Sequence, residues 1–431
     1  MNHTYSTSKS KAGTRTLFVS VPGSNSYCIN IICNAGFNLA ENKISEIPHL
    51  LEHMAFDSTK KYPNPNQLDY EIESIGAWSN ATTEESIIRY STVGSKSNYL
   101  KITELALEQY TQPIFSEKAL EQQKNVIEIE LNSRADDEED MVRLLSYDRL
   151  FPQKVNKISD RIKTLKKINL QDVEDYYSKT HTQANTLIVI SGDISNSEKA
   201  EISKKIESEL SKLPNGELLD TTLKASSKHL ASIKTKNTNI TEHLYFNLAF
   251  IKPVYENNIK YEAACTVADA IYNKGNGSRL FSKSRAAGLS YGINSGIYNN
   301  PNCSEFFIID AAETNLATNL FKLCVAELLL LKDGDFTAQE LERAKGYSAG
   351  EYDTDYETSR DLASWYGNAF IDNDPLYSPQ EFAKAIREVT KDDVTAVLNK
   401  FISKDNWIIS LVGPDSQRYE PEFAKIIATI K

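Results

Sequence analysis

Short runs of alternating apolar and polar residues recur along the chain, separated by longer stretches where apolar residues return every three or four positions. Alternation over Tyr27–Ile32 and Ser86–Ser91 predicts strands, and a strand-like run starts at Thr16. Helical spacing predicts helices over 65–75, 98–111 and 117–134 in the first half, and over 257–273, 314–332 and 337–351 in the second. Strands at 243–250 and 304–310 fall between the latter. Strands followed by packed helices in each half predict an α+β protein.

The pattern repeats. A helix beginning at Ile168–Val173 leads to the strand Thr186–Ile190 and the stop Ser191-Gly192-Asp193. A helix beginning at Val389–Val394 leads to the strand Trp407–Val412 and the stop Gly413-Pro414. The copies are offset by 221 residues (394 − 173), about half of the 431-residue chain. Two homologous α/β-sandwich domains in tandem are therefore expected, over 1–212 and 235–431. The linker is expected over 213–234, where Pro214, Asn215 and Gly216 mark a turn.

Composition narrows the function classes. The net charge of −11 argues against nucleic-acid and anionic-membrane partners. No apolar run is long enough to span a bilayer. The longest candidate, Cys324–Leu331, reads as a buried helix. Five cysteines without CxxC spacing fit a reducing compartment. Residues 1–15 are polar and lack the apolar segment of a secretory signal, so a cytoplasmic protein is expected.

The chemistry concentrates in Ile47-Pro-His-Leu-Leu-Glu-His-Met-Ala-Phe56. Pro48 suits the first turn of a helix, where a missing N–H costs nothing. On that helix His49 and His53, four apart, project from one face, as two imidazoles must to grip one metal ion. Glu52 flanks the same face. A lone helical histidine is usually structural or solvated. An i, i+4 pair enclosing a carboxylate, in a chain with six histidines, is better read as a metal site.

Two histidines leave the site short of a ligand. The motif resembles the inverzincin signature of the pitrilysin, insulysin and mitochondrial processing peptidase family, and the resemblance runs over essentially the whole chain. It implies a third ligand, a glutamate separated from the second histidine by 76 residues; Glu130 stands there. Gln123, Val126, Ile127 and Glu130 are expected to share a helix face. Gln123 occupies a place where the family usually has a glutamate, seven residues before the metal glutamate, and is implied to bond a ligand histidine without supplying charge.

The resemblance also implies substrate contacts. The segment Ile72–Gly76 followed by Ser79–Thr83 is similar to the family's substrate edge, with Asn80 and Ala81 against the peptide backbone. Gly277–Phe281 through Arg285–Tyr291 is similar to its Arg/Tyr element, with Arg285 and Tyr291 donating to the carbonyl oxygen; here six residue steps separate them, where the family usually has seven. The region around Val267–Ile271, the counterpart of the metal helix, has no histidine pair.

The implied function is a zinc-dependent endopeptidase, one Zn2+ per chain, with Glu52 activating a zinc-bound water to cleave short or unfolded peptides. One chain would be half of a clamshell. A homodimer is expected, or a heterodimer with a metal-free homologous chain. The rival readings are a non-catalytic peptide-binding or scaffold subunit, and a metallohydrolase of non-peptide substrates.

Overall fold

Strand alternation and capping residues build two sheets in the computed structural model, which describes residues 2–252, 256–290, 292–300, 303–372 and 374–430. The strands are β1 (Thr4–Lys9), β2 (Arg15–Ser20), β3 (Ser26–Cys33), β4 (Trp78–Thr83), β5 (Ile88–Ser95), β6 (Thr186–Gly192), β7 (Ser232–Asn237), β8 (His243–Lys252), β9 (Asn294–Asn300), β10 (Cys303–Glu313) and β11 (Trp407–Gly413). The first sheet has the order β1-β2-β6-β3-β5-β4 and the second β7-β11-β8-β10-β9. In each sheet one parallel pair, β2 with β6 or β7 with β11, sits beside antiparallel neighbours. The chain is α+β with two units of one plan.

The repeat extends to caps. Asn169 and Asp172 form a capping box at helix Leu170–Thr180, and Thr390 and Asp393 form one at helix Lys391–Phe401. Both pairs keep the 221-residue offset (390 − 169 and 393 − 172). Each box satisfies helix-terminal N–H groups reciprocally and fixes where the helix starts.

The compact units are not the linear halves expected over 1–212 and 235–431. The first comprises 1–131, 158–222 and 356–376; the second comprises 132–157, 223–355 and 377–431. Helix Ser359–Ile371 covers the first sheet, where Leu362, Ala363 and Tyr366 pack with Leu17, Val19, Ile32, Leu187 and Val189. Its counterpart at the same offset (359 − 138), helix Glu138–Leu150, covers the second sheet through Met141, Val142 and Leu150 against Ile309, Val412, Ala249 and Ile408. Equivalent helices have changed places. β7 also begins at Ser232, inside the stretch expected as linker.

The polar N-terminus forms a strand. β1, TYSTSK, pairs antiparallel with β2 and exposes every residue, so an edge position with no buried face explains its composition. Cys324–Leu331 lies in helix Ala317–Lys332, with Cys324, Val325, Leu328 and Leu331 buried. Among the described residues, no helix is long and apolar enough to cross a membrane.

Candidate metal centre

Helix Ile47–Met54 divides its residues cleanly. Ile47, Pro48, Leu50, Leu51 and Met54 are buried, and Pro48 stands in the first turn. That apolar face anchors the helix in the first unit and leaves His49, Glu52 and His53 on the other side. The two rings lie 4.7 Å apart, nearly perpendicular.

Glu130 reaches them from helix Glu117–Ala135. Its Oε2 lies 3.4 Å from His49 Nε2 and 3.9 Å from His53 Nε2. One ligand atom from each residue falls within 4.8 Å of the other two, and among the described residues this is the only such group of histidine, cysteine or acidic side chains. A tetrahedral zinc at ordinary bond lengths sets its donors about 3.3–3.5 Å apart, so small side-chain rotations bring all three into range. The donor set of two imidazoles and a carboxylate suits zinc and leaves a coordination position open. The helix's buried stripe is Ala119, Leu120, Ile127 and Leu131; Val126, expected on the inward face, is 42% exposed.

Each histidine has a partner behind it. His53 Nδ1 lies 3.2 Å from Gln123 Oε1, an acceptor for the Nδ1–H tautomer, and the ring's Nε2 faces Glu130. His49 Nδ1 lies 3.5 Å from Oε2 of Glu46, a fully buried carboxylate. Arg161 clamps Glu46 with two guanidinium nitrogens, Nη2 at 3.1 Å from Oε2 and Nε on Oε1. Burial pushes the Glu46 pKa up, but His49 and Arg161 outweigh burial and hold it below the usual carboxylate value. The Arg161 guanidinium sits 5.0 Å from the centre of the Phe37 ring, which lies in a T-shaped arrangement with His49, centroids 6.5 Å apart.

Glu52 is oriented by one hydrogen bond: Thr83 Oγ1 donates to its Oε2 at 2.6 Å. Thr83 closes β4, the free edge of the first sheet, where Asn80 pairs with Ser91 and Ala81 with Tyr90 of β5. Asn80 is exposed and Ala81 buried. In the second unit Arg285 is exposed on helix Arg279–Ala286. Tyr291 lies outside the described residues. The sequence assigns no role to Glu46 or Arg161, and places Thr83 only within the segment similar to a substrate edge. Glu46, three residues before His49, faces the same side of the helix and was findable; Arg161, 115 residues away (161 − 46), carried no local signal.

Two family models match consecutive stretches: Insulinase (Peptidase family M16) over residues 16–156 and Peptidase M16 inactive domain over 167–347. The chain belongs to the M16 peptidase family. As a short, pitrilysin-type M16 chain it is 26% identical over 423 residues to an uncharacterized zinc protease of Rickettsia bellii, covering 96% of this chain and 99% of that one. Its fold is similar to the crystal structure of a protease from Helicobacter pylori, with TM-score 0.86 and 20% identity over 96% of this chain and all of that one. It is also similar to pitrilysin, with TM-score 0.71 and 17% identity over the whole of this chain and 49% of that one. His49, Glu52, His53, Gln123 and Glu130 all lie within the insulinase-model match; the inactive-domain match contains none of them.

Proposed function

We propose that the protein is a zinc metalloendopeptidase acting on short or unfolded peptides, with one zinc held by His49, His53 and Glu130 and with Glu52 as the proton acceptor. The observation that carries this reading is the convergence of three donor atoms within 4.8 Å of one another, two from the helix that bears Glu52 and the third, from Glu130, from helix Glu117–Ala135.

Zinc, when bound, supplies Lewis-acid chemistry, acidifying water and polarising a carbonyl oxygen. The residues do the rest. Glu52 has Oε2 occupied by Thr83, so Oε1 is the atom that takes a proton from the attacking water and returns it to the departing amine. Gln123, with Oε1 3.2 Å from His53 Nδ1, orients that imidazole so that its Nε2 faces Glu130. An extended peptide adds to β4 through backbone hydrogen bonds at Asn80 and Ala81, one side of that strand being unpaired in the sheet. Arg285 and Tyr291 are assigned to the substrate carbonyl on the resemblance alone.

The assembly we propose is a homodimer. Support comes from the match to half of pitrilysin, which implies that two such chains make the equivalent of one pitrilysin. A heterodimer with a metal-free homologous chain is the alternative, and peptide hydrolysis by this chain purified alone excludes it. A non-catalytic scaffold role is disfavoured because the metal ligands and the base are all present. All five cysteines are buried, and the reducing compartment that their spacing suggests, such as the cytoplasm, is part of this proposal. Incubation of an unstructured peptide mixture with and without a chelator, read by mass spectrometry, tests the reading. Chelator-sensitive cleavage is expected; no cleavage by the zinc-replete chain in dimeric form contradicts it.

A further inference from the structure

The two ligand histidines are supported unequally. His53 leans on a neutral amide, Gln123, whereas His49 leans on a carboxylate that is buried completely. A buried, isolated carboxylate is costly enough that it persists only with charged and hydrogen-bonding partners. Glu46 has both. Arg161, itself mostly buried, grips its two oxygens in a bidentate fork, a geometry that also fixes the plane of the carboxylate. The fork leaves Oε2 3.1 Å from Arg161 Nη2 and 3.5 Å from His49 Nδ1, a buried nitrogen that has no shorter hydrogen bond among the described residues. The Phe37 ring beneath the guanidinium and the Ser45 Oγ–Thr164 Oγ1 hydrogen bond at 2.6 Å hold helix Ile158–Leu165 against the start of the metal helix.

We propose that Glu46, locked by Arg161, is a positioning residue for the metal centre: it keeps the His49 proton on Nδ1 and so presents Nε2 to the ion. The inference rests on the zinc reading above and deepens it. Glu46 touches neither substrate nor metal. Its effect passes through His49, by fixing the tautomer and ring plane.

The test is zinc affinity, measured for the full chain by competition with a chromophoric chelator, with the zinc ion alone as probe. Glu46→Gln keeps the size of the side chain and removes its charge; a loss of zinc affinity of about 10–100-fold is expected. The comparison variant is Ser45→Ala, which loosens the same clasp and leaves Glu46 in place; its affinity is expected within about twofold of wild type. A folded Glu46→Gln variant with wild-type zinc affinity overturns the proposal, and so does an equal loss in Ser45→Ala. If Glu46→Gln fails to fold, Glu46→Leu/Arg161→Met removes both buried charges together, an exchange that proteins often tolerate, and is read in the same way.

A second readout needs no metal. In 15N spectra of the apo protein, His49 is expected as the Nδ1–H tautomer in the wild type and to lose that preference in the double variant; an unchanged tautomer overturns the proposal. Failure of the wild type to bind zinc would contradict the zinc reading instead. The apo spectra then still decide whether Glu46 sets the state of His49.

Discussion

Gly36 joins the segment after β3 to the turn after β4, between the proposed metal site and the proposed substrate edge, and Gly36→Ala puts that junction under load. A Cβ at residue 36 would lie 2.3 Å from the Glu84 carbonyl oxygen, 2.5 Å from the Ile87 nitrogen and 2.6 Å from the Glu85 carbonyl carbon, all of them backbone. Three hydrogen bonds clamp the segments together: Gly36 N–H to Ser86 O at 3.2 Å, Phe37 N–H to Glu84 O at 3.1 Å and Asn38 N–H to Glu85 O at 2.6 Å. Relieving the clash requires a separation of about 0.7–0.9 Å, which takes the two longer bonds out of hydrogen-bonding range. Each bond contributes about 1 kcal/mol net, and overpacking against rigid neighbours costs about 1–3 kcal/mol. The terms overlap, so the expected loss of stability is about 2–4 kcal/mol.

The displacement also reaches the chemistry. Thr83, which orients Glu52, precedes Glu84, and Phe37, which lies under Arg161, follows Gly36. Misplacement by about an ångström lowers turnover up to roughly 100-fold. Urea unfolding gives the stability change, and peptide turnover at zero denaturant gives the chemical one. A Gly36→Ala protein that loses less than about 0.5 kcal/mol and cleaves at the wild-type rate would refute the reasoning, because it would show that segment 84–87 yields freely.

Three other outcomes are expected. Thr83→Val removes the donor to Glu52 and should lower kcat about tenfold while leaving zinc affinity unchanged, checked by kinetics beside chelator competition. Burial pushes the pKa of His181 down to about 3 from its ordinary 6.5, so the unfolded chain binds the extra proton between those values. Stability is then lost as pH falls through that window, by about 1.4 kcal/mol per pH unit, and His181→Gln should flatten this limb of the urea-midpoint profile. Burial pushes Asp269 up, to about 6, while Ser295 Oγ donates to it at 2.6 Å. The folded state therefore holds the extra proton above the ordinary 3.8, and stability falls as pH rises toward 6. Asp269→Asn keeps the acceptor for Ser295 and should stabilise the second unit by about 1–3 kcal/mol at pH 8, with little gain near pH 4, as read from urea midpoints.

Local signals in the sequence carried the elements and the motif; distant pairings carried what was missed. Period and capping residues place Leu170–Thr180 and Lys391–Phe401, because a capping box is built from residues three apart. Pro48, His49, Glu52 and His53 declare themselves within one helix. Glu130 is different: glutamate is common, and only the family spacing singles it out. The exchange of Glu138–Leu150 for Ser359–Ile371 has no local signature. An amphipathic stripe tells that a helix is covered on one face but not which sheet covers it. Arg161 is invisible for the same reason, since its value to Glu46 comes wholly from tertiary placement.

The central claim is that these side chains hold a catalytic zinc with Glu52 as its proton acceptor. Turnover of an unstructured peptide by zinc-replete Glu52→Gln, compared with wild type at equal bound zinc, tests it most directly. One zinc per chain is expected in both proteins, with turnover lower by about 10²–10⁴-fold in the variant. Hydrolysis at the wild-type rate by a metal-loaded, folded Glu52→Gln protein would contradict it.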